Sequence, residues 1–259
     1  MALLRCNYYS DVLGLSTSMT VVLPQQTSNQ IGMVGARRER PTFPTLYLLH
    51  GFSDDDTIWT RRTSVERYAA SLGLAIVMPN VHHSFYSDMA YGHRYWTFLS
   101  EELPAIAQSF FPLSAEREDN FVAGLSMGGY GAFKWALRRP DRFAAAASLS
   151  GSLDVAGRVR TADGMIRRAF ELIHGDRDPA NTEDDLFYLL DRIEAAPGPK
   201  PKLYQACGTE DFLYEDNVKF RDACRRTGLD YTYEEGPGAH TWEYWDEKIQ
   251  DVLKWLPLR

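Results

Sequence analysis

The chain has 259 residues, with 28 lysines and arginines against 35 aspartates and glutamates, and a net charge of −7. That length buries a sizeable core without covalent staples, and the acidic balance argues against nucleic acid or an anionic membrane as the main partner. Cys6, Cys207 and Cys224 are too few and too irregularly spaced for a disulfide framework; residues 1–11 hold no signal-peptide core and no stretch is apolar enough to span a membrane, so a cytoplasmic protein is expected.

Residues 2–9 and 19–23 read as an N-terminal antiparallel strand pair, followed by a polar turn and edge region at 24–42. Residues 45–49 (Thr-Leu-Tyr-Leu-Leu) form a continuous apolar run, the mark of a buried strand, and end at His50-Gly51-Phe52. Asp54, Asp55 and Asp56 then read as a solvated loop. Residues 63–71 have helical spacing, 74–78 form the next buried strand, and 81–95 are a loop rich in His, Tyr and Gly. A helix is expected over 96–111, with Pro104 interrupting it.

At 121–131 an apolar run leads into Gly124-Leu125-Ser126-Met127-Gly128 and then a helix. Small residues flank the serine, as a tight and strained strand-to-helix turn requires. Another buried strand follows at 143–149, and 152–199 is the longest gap between strands, with helical segments near 165–173 and 184–195. The last strands are expected at 203–206 and 231–234, with helices at 217–227 and 241–256. Strands alternating with helices predict a mostly parallel central sheet covered on both faces, in an α/β fold.

Ligands in such sheets bind beyond the carboxyl ends of the strands. Ser126, Asp211, His240 and the Gly51-Phe52 turn all stand at such ends. A serine hydroxyl needs a base to accept its proton, and His240, on a Gly-Pro-Gly loop after a strand, suits that role better than His50, His82, His83, His93 or His174. His50 is expected to bond locally and shape the loop it precedes. The imidazole needs a carboxylate; Asp211 is the first candidate and its neighbour Glu210 the rival, with Asp176 and Asp178 fitting less well. The backbone N–H groups of Met127 and Phe52 are the candidate oxyanion donors.

The order Ser, Asp, His, with His50-Gly51 upstream, resembles the α/β-hydrolase fold, and Gly-Leu-Ser-Met-Gly-Gly-Tyr-Gly-Ala is similar to the putative esterase (esterase D) family. Bacterial tributyrin esterases are the nearest likeness: they share the pattern of His50-Gly51, Trp59, Ser64-Val65-Glu66-Arg67, Val77-Met78-Pro79-Asn80, Tyr86-Ser87-Asp88, Tyr91-Gly92 and Glu101-Glu102-Leu103-Pro104. The likeness runs from about Leu46 to His240 and is vague over 152–199. It implies carboxylesterase activity on short acyl esters. The same family holds S-formylglutathione hydrolases and acetyl or feruloyl carbohydrate esterases, which are the alternative substrates.

One α/β-hydrolase domain over 1–259 with a helical insertion at about 152–199 is therefore expected. Trp59, Phe85, Tyr86, Tyr91 and Trp242 lie in loops after strand ends and are the candidate pocket walls. No cofactor or metal is expected, because no His-x-x-x-His, Cys-x-x-Cys or phosphate-cradling motif occurs. The expected partner is a small-molecule ester, with no nucleic acid and no membrane; the oligomeric state stays open, a homo-oligomer included. A non-catalytic binding module on the same fold is disfavoured, since binding alone does not require Ser126, Asp211 and His240 together.

Overall fold

The computed structural model describes residues 1–27, 29, 31 and 40–259, so most of the turn and edge region expected at 24–42 lies outside the described residues. Among the described residues eight strands form one sheet in the order β1-β2-β4-β3-β5-β6-β7-β8. These are β1 (Ala2–Ser10), β2 (Leu15–Leu23), β3 (Thr45–Leu49), β4 (Ala75–Pro79), β5 (Asn120–Leu125), β6 (Ala145–Leu149), β7 (Lys202–Gly208) and β8 (Tyr231–Gly236). β2 pairs antiparallel with β1 and β4, and every other neighbour is parallel.

The central strands are apolar on both sides because both sides are covered. Tyr47, Leu49, Val122 and Ala146 point into one core; Leu46, Leu48, Phe121, Ala123, Ala145 and Ala147 point into the other. Helix α5 (Met127–Arg138) packs on the first face, and α10 (Trp242–Trp255) on the second through Trp245, Ile249, Val252 and Leu253.

Several elements differ from their predicted extents. β2 begins at Leu15 rather than at 19, because register with β1 across the Gly14 turn (φ +68°) recruits polar residues that show no apolar run. A short helix α1 (Ile58–Arg62) precedes α2 (Val65–Ala69), which covers less than the helix expected at 63–71. The helix at 96–111 is three joined segments: α3 (Tyr95–Thr97), a π turn (Phe98–Glu102) and α4 (Leu103–Phe110). Pro104 has no N–H to donate back to Ser100, and the wide turn meets this by passing the Leu103 N–H to the Phe98 carbonyl. Glu102, at the end of that turn, accepts the N–H groups of Asp11 (2.7 Å) and Val12 (3.2 Å) and so holds the β1–β2 hairpin. Between β6 and β7 stand α6 (Val155–Thr161), α7 (Gly164–His174) and α8 (Leu186–Ala195); α6 is not among the expected helices, although Val155, Val159 and Ala162 recur at helical spacing. Helix α9 (Tyr214–Cys224) starts three residues earlier than predicted because Asp211 Oδ1 takes the Leu213 N–H at 2.8 Å and turns the chain into it.

The segment between β6 and β7 is tied to α5 through a buried cation. Lys134 is fully buried, and its Nζ donates to the Tyr86 carbonyl (2.9 Å), Ser87 Oγ (2.7 Å) and Asp184 Oδ1 (2.5 Å). Burial pushes the lysine pKa down and Asp184 opposes that shift. Burial pushes the Asp184 carboxyl up, but Lys134 more than offsets this and holds it at about 2. A carboxyl with a lower pKa folded than unfolded binds fewer protons when folded. Its contribution to stability is therefore complete above the unfolded value, at about pH 4, and is lost as pH falls toward about 2. In urea unfolding between about pH 5 and pH 3, the wild-type midpoint should drop with falling pH more steeply than that of Asp184→Asn; the difference is bounded by one proton, about 1.4 kcal/mol per pH unit.

Candidate active site

Ser126 sits on the turn between β5 and α5 with φ +53° and ψ −118°. Two glycines permit the turn: a β-carbon on Gly124 would overlap the Gly128 backbone, and one on Gly128 would lie 2.5 Å from the Leu49 carbonyl oxygen. The turn is fastened on both sides. The Ser126 N–H donates to the Leu149 carbonyl (2.9 Å), and the Ser126 carbonyl accepts from Tyr130 and Ser152 (both 3.1 Å).

Asp211 and His240 arrive from the ends of β7 and β8. Asp211 is buried; burial alone would raise its pKa, but the hydrogen bonds from His240 and the Leu213 N–H hold it below the usual range. His240 Nδ1 meets Asp211 Oδ2 at 2.9 Å and Oδ1 at 3.0 Å, and Nε2 meets Ser126 Oγ at 3.0 Å. An ionised Asp211 only accepts, so Nδ1 carries the proton and Nε2 is left to accept from the serine hydroxyl. The imidazole is packed between the Phe212 ring (4.4 Å between centroids) and the Trp245 ring (4.8 Å, edge-on). Glu210, the rival carboxylate, points elsewhere: it accepts the Gly238 N–H and the Thr209 hydroxyl, bracing the loop that carries His240.

His50 does bond locally. The Val81 N–H donates to its Nε2 (3.1 Å), so a neutral ring carries its proton on Nδ1 and donates it to the Gly51 carbonyl (2.7 Å). Burial pushes this histidine down to about 4, which keeps that tautomer at neutral pH. In a trans peptide the N–H points opposite the preceding carbonyl, so gripping the Gly51 oxygen orients the Phe52 N–H. Phe52 and Met127 both border the cavity that contains Ser126 and His240. The Phe52 ring itself stacks on His83 at 4.2 Å.

The cavity has a volume of about 380 Å³. Of the five predicted wall residues, Phe85 and Trp242 line it and three do not. Trp59 is buried, with its indole N–H on the Leu49 carbonyl (3.1 Å) and its ring edge-on to Trp242, which it supports from behind. Tyr86 is fully buried beneath the loop, its hydroxyl donating to the His50 carbonyl at 2.8 Å. Tyr91 is 65% exposed and lies against Gly175, outside the cavity. Walls that sequence reasoning missed are Phe212, Trp245, Ile166 and Arg158. Phe212 follows Asp211 directly, which was an available signal; Trp245 is largely buried on the core face of α10, so its spacing marks it as packing. Arg158 pairs with Asp216 at 3.0 Å, so the cavity's basic wall is already matched by an acid. Asp54 borders the cavity opposite in sign, its carboxyl raised by burial. Among the described residues, no group of three or more His, Cys, Asp or Glu side chains is placed to hold a metal ion, and no helix is long and apolar enough to cross a membrane.

A mostly parallel eight-stranded sheet with a serine on the β5–α5 turn is the α/β-hydrolase fold, and solved structures of serine hydrolases superimpose on it. FphF, a fluorophosphonate-binding serine hydrolase of Staphylococcus aureus, aligns with a TM-score of 0.88 at 40% identity over 98% of each chain. The S-formylglutathione hydrolase FrmB of the same organism aligns with a TM-score of 0.85 at 41% identity, again over 98% of each chain. The acetyl esterase of Caldicellulosiruptor saccharolyticus is 28% identical over 264 residues, spanning 99% of this chain and 98% of that protein. A family model described as putative esterase matches residues 10–256. The chain belongs to this putative esterase family and is a serine hydrolase acting on carboxylic ester bonds.

Tyr91→Ala should leave kcat/KM within about twofold of wild type. Phe212 is 68% exposed yet borders the cavity, so Phe212→Ala should instead raise KM. Loss of about 1 kcal/mol of apolar contact corresponds to roughly fivefold. Steady-state kinetics on one aryl ester separates the two positions.

Proposed function

We propose that Ser126 is the nucleophile, His240 the base and Asp211 the orienting acid of a carboxylesterase for short acyl esters. The observation that carries this reading is the unbroken hydrogen-bonded chain from Asp211 through His240 to Ser126, ending at the cavity. Ser126 Oγ attacks the ester carbonyl while its proton passes to His240 Nε2. The carbonyl oxygen becomes an oxyanion held by the Phe52 and Met127 N–H groups. Collapse expels the alcohol, which takes the proton from Nε2 and leaves an acyl-serine. Water, deprotonated by the same nitrogen, then releases the acid and restores the serine. No metal or organic cofactor enters this scheme. Three unpaired cysteines, two of them buried, fit a cytoplasmic setting, and the partner is a small ester rather than a polymer or a membrane.

Ser126→Ala should remove nearly all turnover without changing the circular dichroism spectrum. Asp211→Asn should cost on the order of 10⁴ in kcat by favouring the wrong imidazole tautomer, whereas Glu210→Gln should stay within a few-fold. Full activity in Ser126→Ala would end the reading, and a larger loss in Glu210→Gln than in Asp211→Asn would reassign the acid.

Acyl length follows from space. The cavity lies near the lower end of the range of about 300–1,000 Å³ for ligand sites, and aromatic rings form much of its wall. The segment 152–199 adds Arg158, Arg160, Arg167, Arg168 and several acids, a poor surface for a lipid droplet. Acetyl to butyryl p-nitrophenyl esters should therefore show higher kcat/KM than acyl chains of about ten carbons or more. A peak at long chains, or a jump in rate when tributyrin forms an emulsion, would overturn this. The 41% identity to an S-formylglutathione hydrolase favours a thioester as the second reading. S-formylglutathione, acetylated sugars and a feruloyl ester in the same panel decide between them.

A further inference from the structure

The loop after β4 contains a chain of buried polar contacts that the ester chemistry does not use. Tyr86 is fully buried at φ +53°, a left-handed conformation that is costly for an aromatic residue. Its ring fills the notch that Gly131 leaves on α5, where any β-carbon would collide with the ring. Its hydroxyl donates to the His50 carbonyl at 2.8 Å, and its own carbonyl accepts from Lys134 Nζ at 2.9 Å. Lys134 is held in turn by Asp184, which comes from the segment between β6 and β7.

The two proposed oxyanion donors belong to different elements: Phe52 to the loop after β3, and Met127 to the first turn of α5. They converge on one oxygen only if that loop and that helix keep a fixed separation. Tyr86 touches both. Its ring bears on α5 and its hydroxyl holds the residue from which the Gly51-Phe52 turn departs. We propose that Tyr86 is a positioning residue for the oxyanion site, a rigid spacer between the His50–Phe52 loop and α5, kept in its strained conformation by Lys134 and Asp184. This rests on the reading that the Phe52 and Met127 N–H groups receive the oxyanion.

Tyr86→Phe keeps the ring in the Gly131 notch and removes only the hydroxyl. Losing a donor outright costs about 10²–10³ in kcat, so a loosened donor should cost roughly 10- to 100-fold. KM for p-nitrophenyl acetate should stay within about threefold, because the donors act on the transition state more than on the ester. The inhibition constant of phenylboronic acid, whose serine adduct is tetrahedral and anionic, should rise by the same factor by which kcat/KM falls. Rates are referred to active sites titrated with a fluorophosphonate. A merely structural role would lower the melting temperature or the titrated fraction but leave kcat per site and boronate affinity unchanged, and that result overturns the proposal. If Tyr86→Phe does not fold, Asp184→Asn decides: a loss of about three- to tenfold in kcat per site at constant KM supports the chain of contacts, and wild-type kcat per site overturns it. Failure of the wild-type enzyme to react with the fluorophosphonate would instead remove the serine-nucleophile reading beneath it.

Discussion

The left-handed backbone at Ser126 is the constraint on which the rest of the site depends. An L-residue at φ +53° and ψ −118° is held there only by contacts that outweigh its strain. Those contacts come from the sheet. The Leu149 carbonyl of β6 takes the serine N–H, and the Gly124–Gly128 approach lets α5 start immediately above β5 beside the end of β3. The same closeness brings the first turn of α5 against the Leu49 and His50 carbonyls, and so beside the Phe52 loop. A single backbone solution thus sets the height of the hydroxyl and of both proposed oxyanion donors.

Much of this was legible in the chain. Short apolar runs bounded by turn residues, such as Thr45–Leu49, lie buried as central strands, and the positions just after them are where a sheet of this kind presents its chemistry. Asp211 and Glu210 were not separable in advance by composition, since both follow β7. What separates them is direction: Asp211 turns inward and is fixed by the Leu213 N–H, while Glu210 turns outward to Gly238.

The cavity walls were less legible, for a physical reason. Helices and strands alternate faces with a fixed period, so burial can be read from spacing. Loops have no period. Trp59, Tyr86 and Tyr91 all lie in connections beyond strand ends, Trp59 on the one-turn helix α1 and the tyrosines in a loop, yet one braces another indole, one lies sealed beneath a loop and one faces solvent. Their fates are decided by contacts distant in sequence, Trp242, Gly131 and Gly175 respectively, that no local pattern announces. The π turn before Pro104 is a similar case. Proline signals a break, but the way the helix absorbs it depends on the carbonyls around it.

The charged segment between β6 and β7 brings a buried ion pair and part of the cavity wall into one place. Its acids are spent inward as well as outward: Asp184 neutralises Lys134, and Glu183 pairs with Arg138 of α5. Burying Lys134 without Asp184 would be costly, so this segment, folded over the helix that begins just after Ser126, stabilises that helix in its packed position. The same segment contributes Arg158 and Ile166 to the cavity wall. Changes in its outer surface bear on the cavity wall, whereas changes at Asp184 act on the helix that follows Ser126. The rim of the segment borders the cavity, while its root is fixed by the buried Lys134.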